Sequence, residues 1–190
     1  MILGDERHTL RELLRARSVR TGEFVLASGA TSSYYIDARL TTMSGSGQLL
    51  IGRRGLVEID ARGWSPDAVG GLTLGADPVA CAIAHAAAVA GRTIDAFTVR
   101  KQPKDHGTGR IIEGNLREGS RVLIVEDVIT TGDSALRAAG VVADAGAQII
   151  GVLTVVDREE GGRARIEAAG HPVAALFTAS ELLGQGQDPA

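Results

Sequence analysis

Glu126 and Asp127 end the apolar run "VLIVED" and lead straight into "VITTGDSA", so two carboxylates sit between a buried-type strand and a loop of hydroxyls and glycine. Backbone amides of a tight loop entering a helix form an anion site, and Thr130, Thr131 and Ser134 add donors suited to phosphate oxygens. Gly132 allows close approach. A simple phosphate cradle is poorly served by Glu126, Asp127 and Asp133 nearby, whereas a ligand carrying both a phosphate and a sugar diol suits all of them, because carboxylates accept hydrogen bonds from hydroxyls. The alternative is a strand end whose acids cap a turn. The chain has no GxxxxGK[ST], so this is not the lysine-bearing loop of that motif.

A second cluster is basic. Of 20 Lys and Arg residues only Lys101 and Lys104 are lysine, and both fall in "RKQPKDHGTGR" with Arg100, His106 and Arg110. Two compact ammonium groups in one glycine-containing loop suit a multiply charged phosphate. The stretch from Lys101 to Ser120 has no apolar periodicity beyond Ile111 and Ile112, and it exceeds the usual connection between elements. A long surface loop of this kind is either functional or unstructured.

These residues need a frame. "TLRELLRARSV" spaces Leu10, Leu13 and Leu14 as one helical face, and "GQLLIGRRGLVEID" has similar spacing interrupted by glycines. From Ala68 short apolar runs alternate with helical patterns: "AVGGL", a helix from Pro78, "IDAFTVR", "RVLIVED", a helix from about Ser134 and "IIGVLTVVD". Such alternation predicts an α/β fold with a mostly parallel sheet flanked by helices. Asp77 reads as the cap of the helix that begins at Pro78, with Gly91 and Gly146 as helix exits. In this architecture ligands bind beyond the carboxyl ends of the strands, where "ED" and the following loop fall.

With 190 residues and 44% hydrophobic content, the expectation is one domain spanning 1–190, with helices and a hood segment over 1–65 and a core over 66–180. A net charge of −3 gives no general attraction to nucleic acid. No run reaches the length of a membrane span, and "MILGDERHTL" lacks signal-peptide character, so a cytoplasmic location is expected. Cys81 stands alone among alanines and reads as a small core residue. His8, His85 and His171 are scattered and suggest no metal cage.

"VLIVEDVITTGDSA" resembles the phosphoribosyl pyrophosphate (PRPP) motif of type I phosphoribosyltransferases, and "RKQPKDHGTGR" is similar to the catalytic loop of the orotate phosphoribosyltransferase family. "FVLASGATSSYYIDARL", "VGGLTLGADPVA" and "VVDRE" extend the resemblance from about Phe24 to Arg158. It implies the type I fold and transfer of ribose 5-phosphate from PRPP to orotate, giving orotidine 5-phosphate and pyrophosphate in pyrimidine synthesis. It further implies that Glu126 and Asp127 bind the ribose hydroxyls, and that Val128, Ile129, Thr130, Thr131, Gly132, Asp133 and Ser134 hold the 5-phosphate. Arg100, Lys101, Lys104 and His106 would meet the pyrophosphate, with Thr73, Leu74, Gly75 and Ala76 forming a pyrophosphate loop. Lys101, Lys104, His106 and Asp127 are the implied catalytic group, and Thr130, Arg158, Tyr35 and Ile36 the implied orotate contacts. Magnesium would arrive with PRPP rather than on a protein cage, and a homodimer sharing the catalytic loop is implied.

The sequence departs from the resemblance in one place. Many relatives of the resembled family carry a lysine in or just after the FxLxSG stretch that reaches PRPP, where this chain has Ala27 and Ala30. Either that contact is dispensable or an arginine such as Arg39 supplies the charge. A phosphoribosyltransferase for another base would share the PRPP motif but has less reason to keep the RK..K.H loop or the arginine after "VVD". A PRPP-sensing regulator would be expected to show a basic surface or an added domain, and this chain shows neither.

Overall fold

A computed structural model describes residues 3–25, 31–102 and 111–184. Helix α1 (Leu3–Ser18) leads into an antiparallel hairpin of β1 (Val19–Val25) and β2 (Thr31–Ile36), then α2 (Arg39–Thr42) and α3 (Gly45–Ala61). The core follows as β3 (Ala68–Leu72), α4 (Ala76–Val89), β4 (Asp95–Val99), β5 (Ile112–Gly114), β6 (Arg121–Ile129), α5 (Asp133–Asp144), β7 (Gln148–Asp157), α6 (Gly162–Ala168), β8 (Val173–Thr178) and α7 (Ala179–Leu183). The six-stranded sheet has the order β5-β4-β3-β6-β7-β8 and is parallel apart from β5, which runs against β4.

The apolar run of β6 shows why the sheet is covered on both faces. Leu123 and Val125 enter a core with Ile51 and Ile59 of α3 and Val79 and Ile83 of α4. Val122 and Ile124 point the other way, to Ala138 and Val142 of α5. Each buried side chain of this size contributes roughly 1.5–3 kcal/mol, and the strand alternates between two such cores.

The glycines that interrupt the α3 pattern have a packing cause. A Cβ at Gly52 would lie 2.3 Å from the carbonyl oxygen of Ala82, and one at Gly55 would lie 2.9 Å from Ile83 Cγ1. The missing side chains therefore let α3 lie directly on α4. One end of α4 differs from the expectation. Its N-cap is Gly75, and Asp77 lies inside the first turn, accepting hydrogen bonds from Thr73 Oγ1 at 2.7 Å and Thr98 Oγ1 at 2.9 Å. Asp77 thus ties the loop after β3 to β4 instead of capping the helix. Gly91 and Gly146 take positive φ just past α4 and α5, as expected of helix exits. Cys81 is exposed on α4 rather than in the core. No helix among the described residues is long and apolar enough to cross a membrane.

Candidate active site

From β3 the chain passes to β4 on one side and later to β6 on the other, so the strand order reverses between β3 and β6. The loops leaving these two strands face each other across a cleft of about 370 Å³. It is lined by Arg39, Thr73, Leu74, Gly75, Lys101, Glu126, Asp127, Val128 and Ser134. A reversal of this kind is where an open α/β sheet presents strand ends and loop amides to a ligand.

Asp127 rests against the first of these loops. A Cβ on Gly75 would stand 2.3 Å from Asp127 Oδ1, so only glycine leaves room for that carboxylate. Asp127 Oδ1 also accepts from the amide of Val128 at 2.9 Å. Burial raises its pKa, and the Val128 amide and Arg39 oppose the rise. Glu126 is 4% exposed, and its Oε1 has no hydrogen-bond partner. Burial, assisted by the neighbouring Asp127, pushes its pKa to about 8. An unpartnered buried carboxyl oxygen at the lip of a cleft is a group made for a donor that the chain itself does not supply.

The loop after β6 is the expected anion site. Gly132 takes φ 81° as the N-cap of α5 and offers no side chain to occupy the helix's first amides. Its closeness to α6 also demands glycine, since a Cβ would lie 2.9 Å from the Gly162 carbonyl oxygen. Asp133, the carboxylate least suited to a phosphate neighbour, is held by Thr131 Oγ1 at 2.8 Å and Arg165 Nη1 at 2.5 Å. These contacts lower its pKa. Arg165 also donates to the carbonyl oxygen of Thr131 at 3.2 Å, bracing the loop from α6. The charge of the three acids is thus moderated in two ways: Asp133 pairs with a cation, and burial raises the pKa of Glu126.

The remaining predicted residues divide. Lys101 lines the cleft, and its carbonyl oxygen accepts from Arg137 of α5. Arg100 does not line it; its Nη1 lies 3.8 Å from Glu113 Oε1 across the β4–β5 pair. Lys104, His106, Ala27 and Ala30 lie outside the described residues. Ile129 is buried in the core, so only its backbone is available to a ligand. Thr130 is half-buried in the loop after β6, and Arg158 follows β7 on the neighbouring strand, its amide donating to the Ile129 carbonyl at 3.0 Å. The hairpin sorts its residues by alternation. Tyr34 places its ring under the Arg158 guanidinium, 5.0 Å from the centroid, while Tyr35 packs on Phe24 and Ile36 enters the core with Leu10 and Leu14. The aromatic ring beside Arg158 is that of Tyr34. Arg165 escaped the sequence reading because nothing local marks an arginine 32 residues beyond the loop it braces.

Residues 48–169 match the model of the phosphoribosyl transferase domain family. The chain is 48% identical over 181 residues to the orotate phosphoribosyltransferase of Aquifex aeolicus, covering 94% of this chain and 98% of the relative. The chain belongs to the orotate phosphoribosyltransferase family. Its fold agrees with a crystal structure of the Mycobacterium tuberculosis enzyme in complex with PRPP, at a TM-score of 0.80 and 44% identity over 93% of this chain and 98% of that one. The enzyme of Aeropyrum pernix is similar at a TM-score of 0.72 and 29% identity, over 93% of this chain and 98% of that one. The type I fold and the pentosyltransferase class follow from this membership.

Among the described residues no three His, Cys, Asp or Glu side chains form a group able to hold a metal ion. Glu126 and Asp127 nevertheless fit a cation carried by a diol and a pyrophosphate, since they put acceptor oxygens at the cleft without enclosing it.

Proposed function

We propose that the chain transfers the ribose 5-phosphate group of PRPP to orotate, releasing pyrophosphate. Arg158 carries the choice of orotate: its guanidinium is buried, its Nε and Nη2 have no hydrogen-bond partner, and it follows the strand paired with the phosphate-loop strand. A planar guanidinium is the natural partner of a carboxylate, and orotate is the pyrimidine base that brings one. Tyr34 holds the guanidinium from below.

In this reading the open N-terminus of α5 and residues 128–134 grip the 5-phosphate, and Glu126 and Asp127 accept from the ribose hydroxyls. Thr73, Leu74 and Gly75, with the backbone of the buried Ala76, face the pyrophosphate, and Lys101, Lys104 and His106 supply positive charge. As the sugar–pyrophosphate bond breaks, its electron pair leaves with pyrophosphate and the sugar carbon bonds to orotate N1, whose proton is lost. Asp127 keeps negative charge near the sugar where positive charge develops, and Lys101 keeps positive charge near the leaving group. Magnesium bound with PRPP would neutralise charge on the pyrophosphate, with Glu126 and Asp127 the carboxyls nearest to hold it through the substrate. A homodimer fits the exposed apolar side chains Leu40, Met43 and Leu49 on and between α2 and α3.

The test is pyrophosphate release from PRPP and magnesium with orotate, uracil, adenine or hypoxanthine. Orotate alone should turn over rapidly, and Arg158→Ala should weaken orotate far more than PRPP. Equal turnover of a purine would defeat the assignment.

A further inference from the structure

Arg158 has a contact that its expected role does not explain. Its Nη2 lies 2.7 Å from Glu160 Oε1, close enough to pair charges, yet neither Nη2 nor Nε makes a hydrogen bond. A 7% exposed guanidinium held by one misaligned carboxylate is neutralised but under-satisfied.

The turn delivering Glu160 is built for this contact. Glu159 takes φ 60°, the one positive value at a non-glycine residue among those described. Such a conformation costs about 1 kcal/mol or more and persists only where surroundings enforce it. Here they do. The Glu159 amide donates to Asp157 Oδ1 at 2.8 Å, and Glu159 Oε2 accepts from the amide and hydroxyl of Ser180 at 2.8 and 2.6 Å. Gly161, at φ 88°, then turns the chain into α6. The turn is pinned from α7, while the Glu160 side chain is 38% exposed, with solvent beside it.

We infer that Glu160 is an internal stand-in for the carboxylate of the substrate. It neutralises Arg158 when no substrate carboxylate does so, and yields the guanidinium to a ligand whose carboxylate can align with the unpartnered donors. The exchange sharpens specificity. A pyrimidine with a carboxylate replaces one anion by another, whereas a pyrimidine without one must leave Glu160 in place or strand a buried charge. Glu160 is thus a positioning residue that lowers affinity for orotate and its nucleotide. The inference rests on the reading of Arg158 as the carboxylate contact.

The test compares binding of orotidine 5-phosphate and of uridine 5-phosphate, which lacks the carboxylate, by calorimetry on the full chain. In Glu160→Gln the orotidine nucleotide should bind roughly fivefold tighter, the worth of an ion pair with one exposed partner, with the uridine nucleotide unchanged. Glu160→Asp, too short to reach Arg158, should behave like Glu160→Gln, and thermal melting checks that both variants fold. Unchanged or weaker orotidine nucleotide binding in both variants, with Arg158→Ala still weakening it, overturns the stand-in role alone. Equal tightening of both nucleotides also overturns it, because the effect would lie in the shared sugar and phosphate. If Arg158→Ala leaves the orotidine nucleotide unaffected, the underlying assignment of Arg158 fails instead.

Discussion

If Glu126 accepts from the ribose hydroxyls, PRPP binding should be proton-linked. In the chain alone burial holds its pKa near 8, against 4.5 for an ordinary glutamate. Hydroxyls donating to its orphaned Oε1 favour the ionised form, so binding must expel the proton that burial retains. With a pKa of 8 the ionised fraction is roughly 9% at pH 7 and roughly 76% at pH 8.5, a gain in PRPP affinity of about eightfold. Titration calorimetry across this range, above the second ionisation of the 5-phosphate, should show that rise, with protons released on binding. Glu126→Gln should bind more weakly and lose the dependence. The stability of the ligand-free chain must move oppositely. A carboxyl whose folded pKa is raised contributes stability that is fully present below pH 4.5 and is lost as pH rises through 8, at most about 5 kcal/mol. Glu126→Gln should therefore flatten this loss and melt above the parent chain at pH 8.5. PRPP affinities of the parent and Glu126→Gln that run parallel with pH would show that Glu126 is already ionised, and the proton linkage would be wrong.

Gly75→Ala should cut turnover by roughly tenfold or more, the scale of a misplaced group at a reacting centre, while melting changes little, because Gly75 has helical φ and ψ and the new methyl meets Asp127. Arg165→Ala should raise the KM for PRPP by roughly three- to tenfold and leave that for orotate nearly unchanged, since it frees Asp133 beside the phosphate loop. If the catalytic loop is shared across a dimer, inactive Lys101→Ala and Asp127→Ala chains, mixed under subunit exchange, should recover about a quarter of wild-type sites. Confirmed exchange without recovery would place the loop in its own chain's site.

The sheet was legible because β3, β6 and β7 are apolar nearly throughout, as strands buried on both faces must be, and the helices between them keep their own period. The short edge strand β5, "IEG", has no pattern of its own and exists through pairing with β4. Asp77 before Pro78 carries a capping signal, but the hydroxyls of Thr73 and Thr98 capture the carboxylate, a competition no local sequence records. Tyr34 and Tyr35 are equivalent by composition. Their roles separate only because a strand alternates faces and the hairpin turns one face to Arg158.

The site's electrostatics were the least legible part, for a physical reason. "ED" and "GDS" announce three negative charges, and at that level a phosphate site looks contradictory. The charge a ligand meets depends on partners brought from elsewhere. Arg165 comes from α6 to cancel Asp133, and the layers around β6 bury Glu126 until it keeps its proton. Burial raises the pKa of Asp127 too, but the Val128 amide and the field of Arg39 oppose that rise, so of the two cleft carboxyls it is the better supported in its charged form. The three acids of one short segment are therefore chemically unlike: one is paired with a cation, one is buried with its pKa raised to about 8, and one stands at the cleft where an amide and an arginine oppose the rise that burial causes.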